Sequence, residues 1–135
     1  MALAWLDHVN LRTSSLKKMR HFYTEVLGLD DGPRPDFGFG GAWLYCGNRA
    51  AVHLVETRHT PDATDVKLEH FAFRATDVRA TIARLENHGV DYKILSRPHM
   101  GVLQVNVWDP DGNHIELAFP PVECADLPPP ADAAD

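Results

Sequence analysis

The sequence predicts an α+β fold built from two copies of one unit: a strand, a helix and then two or three further strands. Three observations predict it. Moving Leu68–Asp77 back by 62 positions lays His70 on His8, Arg74 on Arg12 and the pair Thr76-Asp77 on Ser14-Ser15. A second anchor, 45 residues beyond His8, brings Val52-His53-Leu54 onto Ile115-Glu116-Leu117 at an offset of 63. In each copy, alternation of apolar and polar residues gives way to helical spacing and then returns.

Taken in order, Ala4–Thr13 alternates as a strand, with Val9 and Leu11 on one face and Leu6, His8, Asn10 and Arg12 on the other. Ser14 or Ser15 is placed to cap a helix. Leu16, Met19, Phe22, Tyr23, Val26 and Leu27 recur at helical spacing, and Gly28 is positioned to close the helix. Asp30–Gly41, rich in Gly and Pro, predicts a turn-rich connection with one short strand near its start, and it carries the aromatic residues Phe37 and Phe39. Ala42–Cys46 and Ala50–Glu56 predict an antiparallel pair about a Gly47-Asn48 turn. Thr57–Asp65 reads as a linker.

The second copy follows the same order. Lys67–Ala75 predicts a strand, Thr76 or Asp77 a cap, and Val78, Ile82 and Leu85 the buried stripe of a helix stopped by Gly89. Val90–Leu95, Gly101–Trp108 and Asn113–Phe119 predict three more strands, the last two joined by the turn Asp109-Pro110-Asp111-Gly112. The expected organisation is one domain over residues 1–120: a first module to about 57, a linker over 58–66 and a second module from 67. Residues 121–135, rich in Pro, Ala and Asp, carry too little apolar surface to fold and are expected to be disordered.

Composition narrows the function. The chain has 135 residues, 44% hydrophobic and 24% charged, ordinary values for one globular domain. Its net charge is −6; four acidic residues after Phe119 account for most of that and leave a body near −2, with no basic stripe to neutralise phosphates. Nucleic acid is therefore not expected as a partner. No apolar run reaches the roughly 20 residues of a membrane span and no signal-like segment opens the chain, so neither a membrane nor export is expected and the cytoplasm is the expected address. Cys46 and Cys124 lack metal-type spacing and read as free thiols of a reducing compartment.

The repeat singles out His8, His53, His70 and Glu116, each a metal-capable side chain set beside apolar strand neighbours. On a strand, the apolar set can face the helices while the polar residue faces the other side of the sheet. Two histidines and a carboxylate, His8, His70 and Glu116, form the ligand set of a facial triad with open coordination positions. His53 is a fourth candidate, either a ligand, an outer partner or a substrate-facing residue. Glu116 is also the candidate catalytic base. His114, two residues from Glu116, is expected in solvent at the strand start. Phe39 and Trp43 are candidate substrate-binding residues.

Four segments carry a family resemblance: Asp7-His8-Val9; His21-Phe22-Tyr23-Thr24-Glu25-Val26-Leu27-Gly28; Glu69-His70-Phe71-Ala72-Phe73; and Asp109-Pro110-Asp111-Gly112-Asn113-His114-Ile115-Glu116-Leu117. Over residues 3–119 the chain resembles the vicinal oxygen chelate superfamily, which includes glyoxalase I, fosfomycin-resistance enzymes, methylmalonyl-CoA epimerase, extradiol dioxygenases and bleomycin-resistance proteins. The resemblance implies two βαβββ modules forming a half-open barrel around one divalent metal ion (nickel, cobalt, zinc, manganese or iron), with His8, His70 and Glu116 as its ligands. His53 stands where glyoxalase I has Glu and the epimerase has Gln. Arg12 stands where glyoxalase I places an arginine on the glutathione carboxylate, and Thr57 where that enzyme has an asparagine. The implied activity is a glyoxalase-type lyase or isomerase acting on a small, oxygen-rich, thiol-conjugated substrate through a metal-stabilised enolate or alkoxide. The alternatives are an iron-dependent ring-opening dioxygenase, a fosfomycin-resistance-like enzyme and a non-catalytic drug- or metabolite-binding protein. A homodimer is implied as well.

Overall fold

The computed structural model describes residues 2–128 and divides them into two compact units. One holds the chain up to Val66 together with Asp109–Asp111; the other holds Lys67–Trp108 and the chain from Gly112 onward. Each contains one four-stranded sheet of mixed direction, and neither sheet closes into a barrel.

In the first unit, strand β1 (Val9–Thr13) leads into helix α1 (Leu16–His21), followed by β2 (Asp30–Gly32), β3 (Gly41–Cys46) and β4 (Arg49–Glu56), in the sheet order β1-β4-β3-β2. β1 is shorter than its alternation predicts. Ala4–His8 forms no ladder, and Leu3, Trp5 and Leu6 are exposed, with the Arg49 guanidinium 4.5 Å over the Trp5 ring. Ser15 occupies the helix cap, but its hydroxyl makes no cap bond. α1 continues without a break into a π-helical turn, Phe22–Val26, and Gly28 then takes φ 83°, the left-handed backbone that suits a residue without a Cβ. A π turn is the signature of one residue inserted into a helix. The second copy agrees: its helix runs from Val78 to the closing Gly89 in one residue fewer than Leu16 to Gly28.

α1 packs on β3 and β4. Met19, Phe22, Tyr23 and Val26 are buried from the helix side, and Ala42, Leu44, Val52 and Leu54 from the sheet. Side chains alternate along a strand, so Gly41, Trp43 and Tyr45 of β3 and His53 and Val55 of β4 lie on the opposite face. Full burial of an aliphatic or aromatic side chain stabilises by about 1.5–3 kcal/mol, so this apolar face fixes the register that presents the other. Also in this unit, the Tyr23 hydroxyl donates to Asp109 Oδ2 at 2.7 Å, and Asp109 Oδ1 accepts from the Asp111 amide at 3.0 Å.

The second unit repeats the order. β5 (His70–Arg74) precedes helix α2 (Val78–Asn87), then β6 (Tyr92–Arg97), β7 (Val102–Trp108) and β8 (His114–Ala118), in the sheet order β5-β8-β7-β6. Asp77 caps α2 through its carboxylate, which accepts from the Ala80 amide at 3.1 Å. Val78, Ile82 and Leu85 are buried, as are Leu103, Val105, Val107, Ile115 and Leu117 of the sheet.

Order does not end at Phe119. Pro121–Asp126 forms a 3-10 helix where disorder was expected, and Glu123 explains why: its carboxylate accepts from the Val78 amide at 2.7 Å and the Asp77 amide at 3.2 Å. A carboxylate on the unpaired amides of a helix start is favourable through both the hydrogen bonds and the helix dipole. Residues 129–135 of the expected tail lie outside the described residues.

Candidate metal centre and substrate face

The two sheets use the same register for their polar positions. Asn10 pairs with His53 across β1 and β4, and Ala72 pairs with Glu116 across β5 and β8. Both offsets of the sequence repeat are therefore realised in the backbone ladders, and His53 and Glu116 occupy equivalent sites on equivalent strands.

In the second unit His70 Nε2 lies 3.2 Å from Glu116 Oε1, while its Nδ1 donates to Glu69. A neutral imidazole has one N–H, so the Nδ1 bond leaves Nε2 as a lone pair aimed at a carboxylate oxygen. Two acceptors at that distance need a cation between them, either a proton or a metal ion. The spacing suits a metal, since two ligands about 2.1 Å from one ion at right angles are about 3 Å apart. Glu69 supplies the partner that a ligating histidine needs to fix its tautomer and ring direction. Its second oxygen, Oε1, lies 3.0 Å from His114 Nδ1.

His114 is half-buried rather than solvated. It stacks on Trp108 with centroids 4.9 Å apart, and its Nε2 lies 2.8 Å from Asn106 Oδ1. The cross-strand pairing of Trp108 with His114 brings this about. Glu69, His70 and His114 together form a cluster whose ligand-capable atoms lie within 4.8 Å of one another. Because both nitrogens of His114 are already engaged, it fits the role of an outer partner better than that of a ligand.

In the first unit His8 and His53 stack face to face, centroids 3.9 Å apart, and Trp43 stacks on the other side of His53 at 4.2 Å. The His53 ring is buried in this sandwich. Its Nε2–H donates to the Ala50 carbonyl at 3.0 Å, which leaves Nδ1 as the nitrogen able to ligate. His8 Nδ1 donates to Asp7 Oδ2 at 2.7 Å, the same acid-before-histidine arrangement as Glu69 and His70. Asp7 and Glu69 are themselves 62 positions apart, so the signal stood in the sequence as two acidic residues, each immediately preceding a repeated histidine.

The electrostatics of the two histidine sites diverge. Burial, then the neighbouring His8, push the His53 pKa below its ordinary value, partly offset by the Ala50 bond. The Glu69 hydrogen bond, then the Glu116 charge, raise that of His70 despite some desolvation. Glu69 in turn is lowered by its bonds to His70 and His114.

The proposed substrate residues lie in the first unit. Trp43 belongs to the aromatic sandwich, and a cavity of about 310 Å³ beside it is lined by Trp5, Asp7, Tyr45, Arg49 and His53. Phe39 stacks on Phe37 at 5.5 Å, both about half exposed. Arg12 borders a second cavity of about 310 Å³ with Thr57, Arg58, His59, Thr60 and Asp62. Cys46 and Cys124 are free thiols, as expected.

The profile of the Glyoxalase/Bleomycin resistance protein/Dioxygenase superfamily matches residues 5–117, and the chain belongs to that superfamily. Its fold recurs in a Bacillus anthracis protein assigned to the glyoxalase family, at 26% identity and a TM-score of 0.73 over 89% of this chain and 98% of that one. An antibiotic-binding protein of Streptomyces sp. CB03234 is similar at 27% identity and a TM-score of 0.67, over 89% and 98% of the two chains. A glyoxalase/dioxygenase of Nostoc punctiforme shares the fold at 20% identity and a TM-score of 0.76, over 89% and 93%. Comparison with curated protein sequences finds no match. Among the described residues no helix is long and apolar enough to cross a membrane.

Proposed function

We propose that the protein is a divalent-metal-dependent enzyme of glyoxalase type, a lyase or isomerase acting on a small, oxygen-rich molecule such as a thiol conjugate. The observation that carries this reading is the His70–Glu116 pair: two facing acceptors 3.2 Å apart, with Glu69 holding the far side of the imidazole. His70 and Glu116 would hold the ion, and the repeat adds His8, whose Asp7 partner copies the Glu69–His70 arrangement. His53, through Nδ1, would be a fourth ligand or an outer partner, its Nε2–H being held by the Ala50 carbonyl. The bound ion supplies a Lewis acid that favours negative charge on substrate oxygens. Glu116, a half-buried carboxylate, would accept a proton from a carbon acid. Arg12 would hold an anionic part of the substrate, with Trp43 and Phe39 offering apolar surface. The cytoplasmic location and the homodimer belong to the same proposal.

The test is the metal content of protein purified without chelator, followed by thermal melts before and after metal is stripped and restored. About one nickel, cobalt, zinc or manganese ion per chain, with a Tm that falls on stripping, supports the reading. Dominant iron would favour the ring-opening dioxygenase, which the same ligand types suit. No metal, and no gain in Tm on adding one, would overturn both and leave a second reading, a small-molecule-binding protein. That reading is favoured by the 27% identity to an antibiotic-binding protein and by the exposed aromatic pair Phe37 and Phe39.

A further inference from the structure

Arg34 lies in the connection between β2 and β3, outside every element of the repeat. Its Nη2 is buried and, among the described residues, has no hydrogen-bond partner. A guanidinium nitrogen withdrawn from water without an acceptor is costly, and a native structure that keeps one calls for a reason. The surroundings deepen the cost, because Arg34 Cζ sits 5.0 Å from the centroid of Phe37 and 5.2 Å from that of Phe39. The rings attract the cation through their faces but satisfy no N–H.

The position of the group is specific. A Cβ built on Gly41 would meet the Leu54 carbonyl oxygen first and then Arg34 Nη2 at 2.8 Å and its Cζ at 3.0 Å, so the β4 backbone and the guanidinium together fill the space left by the missing side chain of Gly41. Gly41 and Trp43 share one face of β3, and their partners on β4 are Val55 and His53. Across β4 these rows end on Arg12 and Asn10 of β1. Arg34 and Arg12 therefore stand at opposite ends of one row, with Val55 between them. The next row holds His53 and Trp43, and Phe37 closes the corner with its ring 6.3 Å from Trp43.

We propose that Arg34 is a substrate-recognition residue whose unpartnered donor takes an anionic oxygen group, carboxylate or phosph(on)ate, of a small molecule once the half-exposed rings of Phe37 and Phe39 give way, the apolar body of that molecule lying against Phe37, Phe39 and Trp43. This rests on the reading above that the first unit presents the substrate-binding face. A planar guanidinium matches such anions in two-bond geometry, and a charge-assisted bond on an apolar surface is stronger than one in water.

The experiment titrates benzoate, phenylphosphonate and neutral benzamide into the full chain by NMR, metal-loaded and again after chelation, for the native protein and for Arg34→Met, Arg34→Gln and Arg34→Lys. Native protein is expected to bind at least one of the two anions about tenfold or more tighter than benzamide. The Met and Gln variants lose that preference, and Lys keeps part of it. Whichever of benzoate and phenylphosphonate binds tighter identifies the anion. Metal content stays at the native level in all three variants, and Tm in Arg34→Met is unchanged or higher because an unpartnered charge has been removed. Equal binding of benzamide and both anions by the native protein, or an anion preference that survives in Arg34→Met, would overturn the proposal. If the Met and Gln variants do not fold, the native comparison and the Lys variant decide it, and an undiminished preference with Lys would count against it. Loss of anion preference in a protein that takes up no metal would uphold Arg34 while the metal reading fails; metal uptake with a preference indifferent to Arg34 would do the reverse.

Discussion

The two copies of the repeat carry the same acid–histidine pair at the entrance to their first strands and then surround it differently. In the first, His8 stacks on His53, which stacks in turn on Trp43. In the second, His70 lies against the carboxylate of Glu116. One residue on one strand makes the difference, since His53 and Glu116 hold equivalent ladder positions. A shared backbone register thus fixes where the polar group stands, and its residue type decides whether the histidine meets stacked rings or a carboxylate. The predictions below break that contrast or sharpen it, beginning with the largest effect.

Replacing His70 with Ala removes the imidazole that faces Glu116. Metal affinity is expected to fall by at least about 100-fold, beyond the roughly 10–100-fold typical of losing an outer partner. Because His70 is exposed, the Tm of the chelator-treated protein should stay close to that of the native chain. Metal content and thermal melts together check this. Unchanged uptake would remove the second unit from the metal site.

Replacing Glu69 with Gln keeps the shape and removes the charge that orients His70. Metal affinity is expected to drop by about 10–100-fold, with Asp7→Asn producing the corresponding loss at His8. Titration of cobalt into both variants measures the two side by side. An effect at Glu69 and none at Asp7 would confine the metal to the second unit.

A third contrast lies in the helices. Tyr23, in the π turn, spends its hydroxyl on Asp109, whereas α2 buries only apolar groups, Val78, Ile82 and Leu85. Tyr23→Phe is expected to cost about 1–3 kcal/mol, because the buried carboxylate loses a donor. The phenol pKa is raised, chiefly by burial and then by Asp109. The stabilisation from the hydrogen bond is therefore present in full below the ordinary tyrosine pKa of about 10 and declines as the pH rises above it, because the unfolded phenol ionises while the folded one keeps its proton. Melts at pH 7 and above pH 10 should show the gap between native and variant narrowing, and a constant gap would count against the bond as the cause.

The elements and the repeat were legible because they rest on short-range periodicity: every expected strand and both helices are present, and the two offsets reappear as ladder registers. What escaped the sequence depends on side-chain partners distant along the chain. The 3-10 helix at Pro121–Asp126 exists where Glu123 reaches amides 45 and 46 residues earlier. His114 leaves solvent because the β7–β8 register sets Trp108 beside it. The π turn was hidden because Met19, Phe22, Tyr23 and Val26 suit either winding of the helix. The early part of β1 misled because Leu3, Trp5 and Leu6 look like strand residues, whereas the ladder begins at Val9. Asp7 and Glu69 could have been read, as both precede a repeated histidine. Arg34 could not, since a single arginine in a Gly- and Pro-rich connection carries no pattern.

The smallest effect tests the contrast most directly. The Glu69 bond and the Glu116 charge raise the His70 pKa, whereas burial and His8 lower that of His53. In chelator-treated protein, an NMR titration of the imidazole protons should place the His70 midpoint above the ordinary 6.5 and that of His53 below it. The sign for metal uptake follows, because a proton on Nε2 occupies the space between His70 and Glu116 that an ion would take. Binding should therefore weaken as the pH falls through the raised His70 midpoint, at a pH where His53 is still neutral. Glu69→Gln should move the His70 midpoint down and leave that of His53 in place. If the two midpoints came in the opposite order, the ring-packed site would be the one that holds a charge, and the electrostatic contrast between the copies would be reversed.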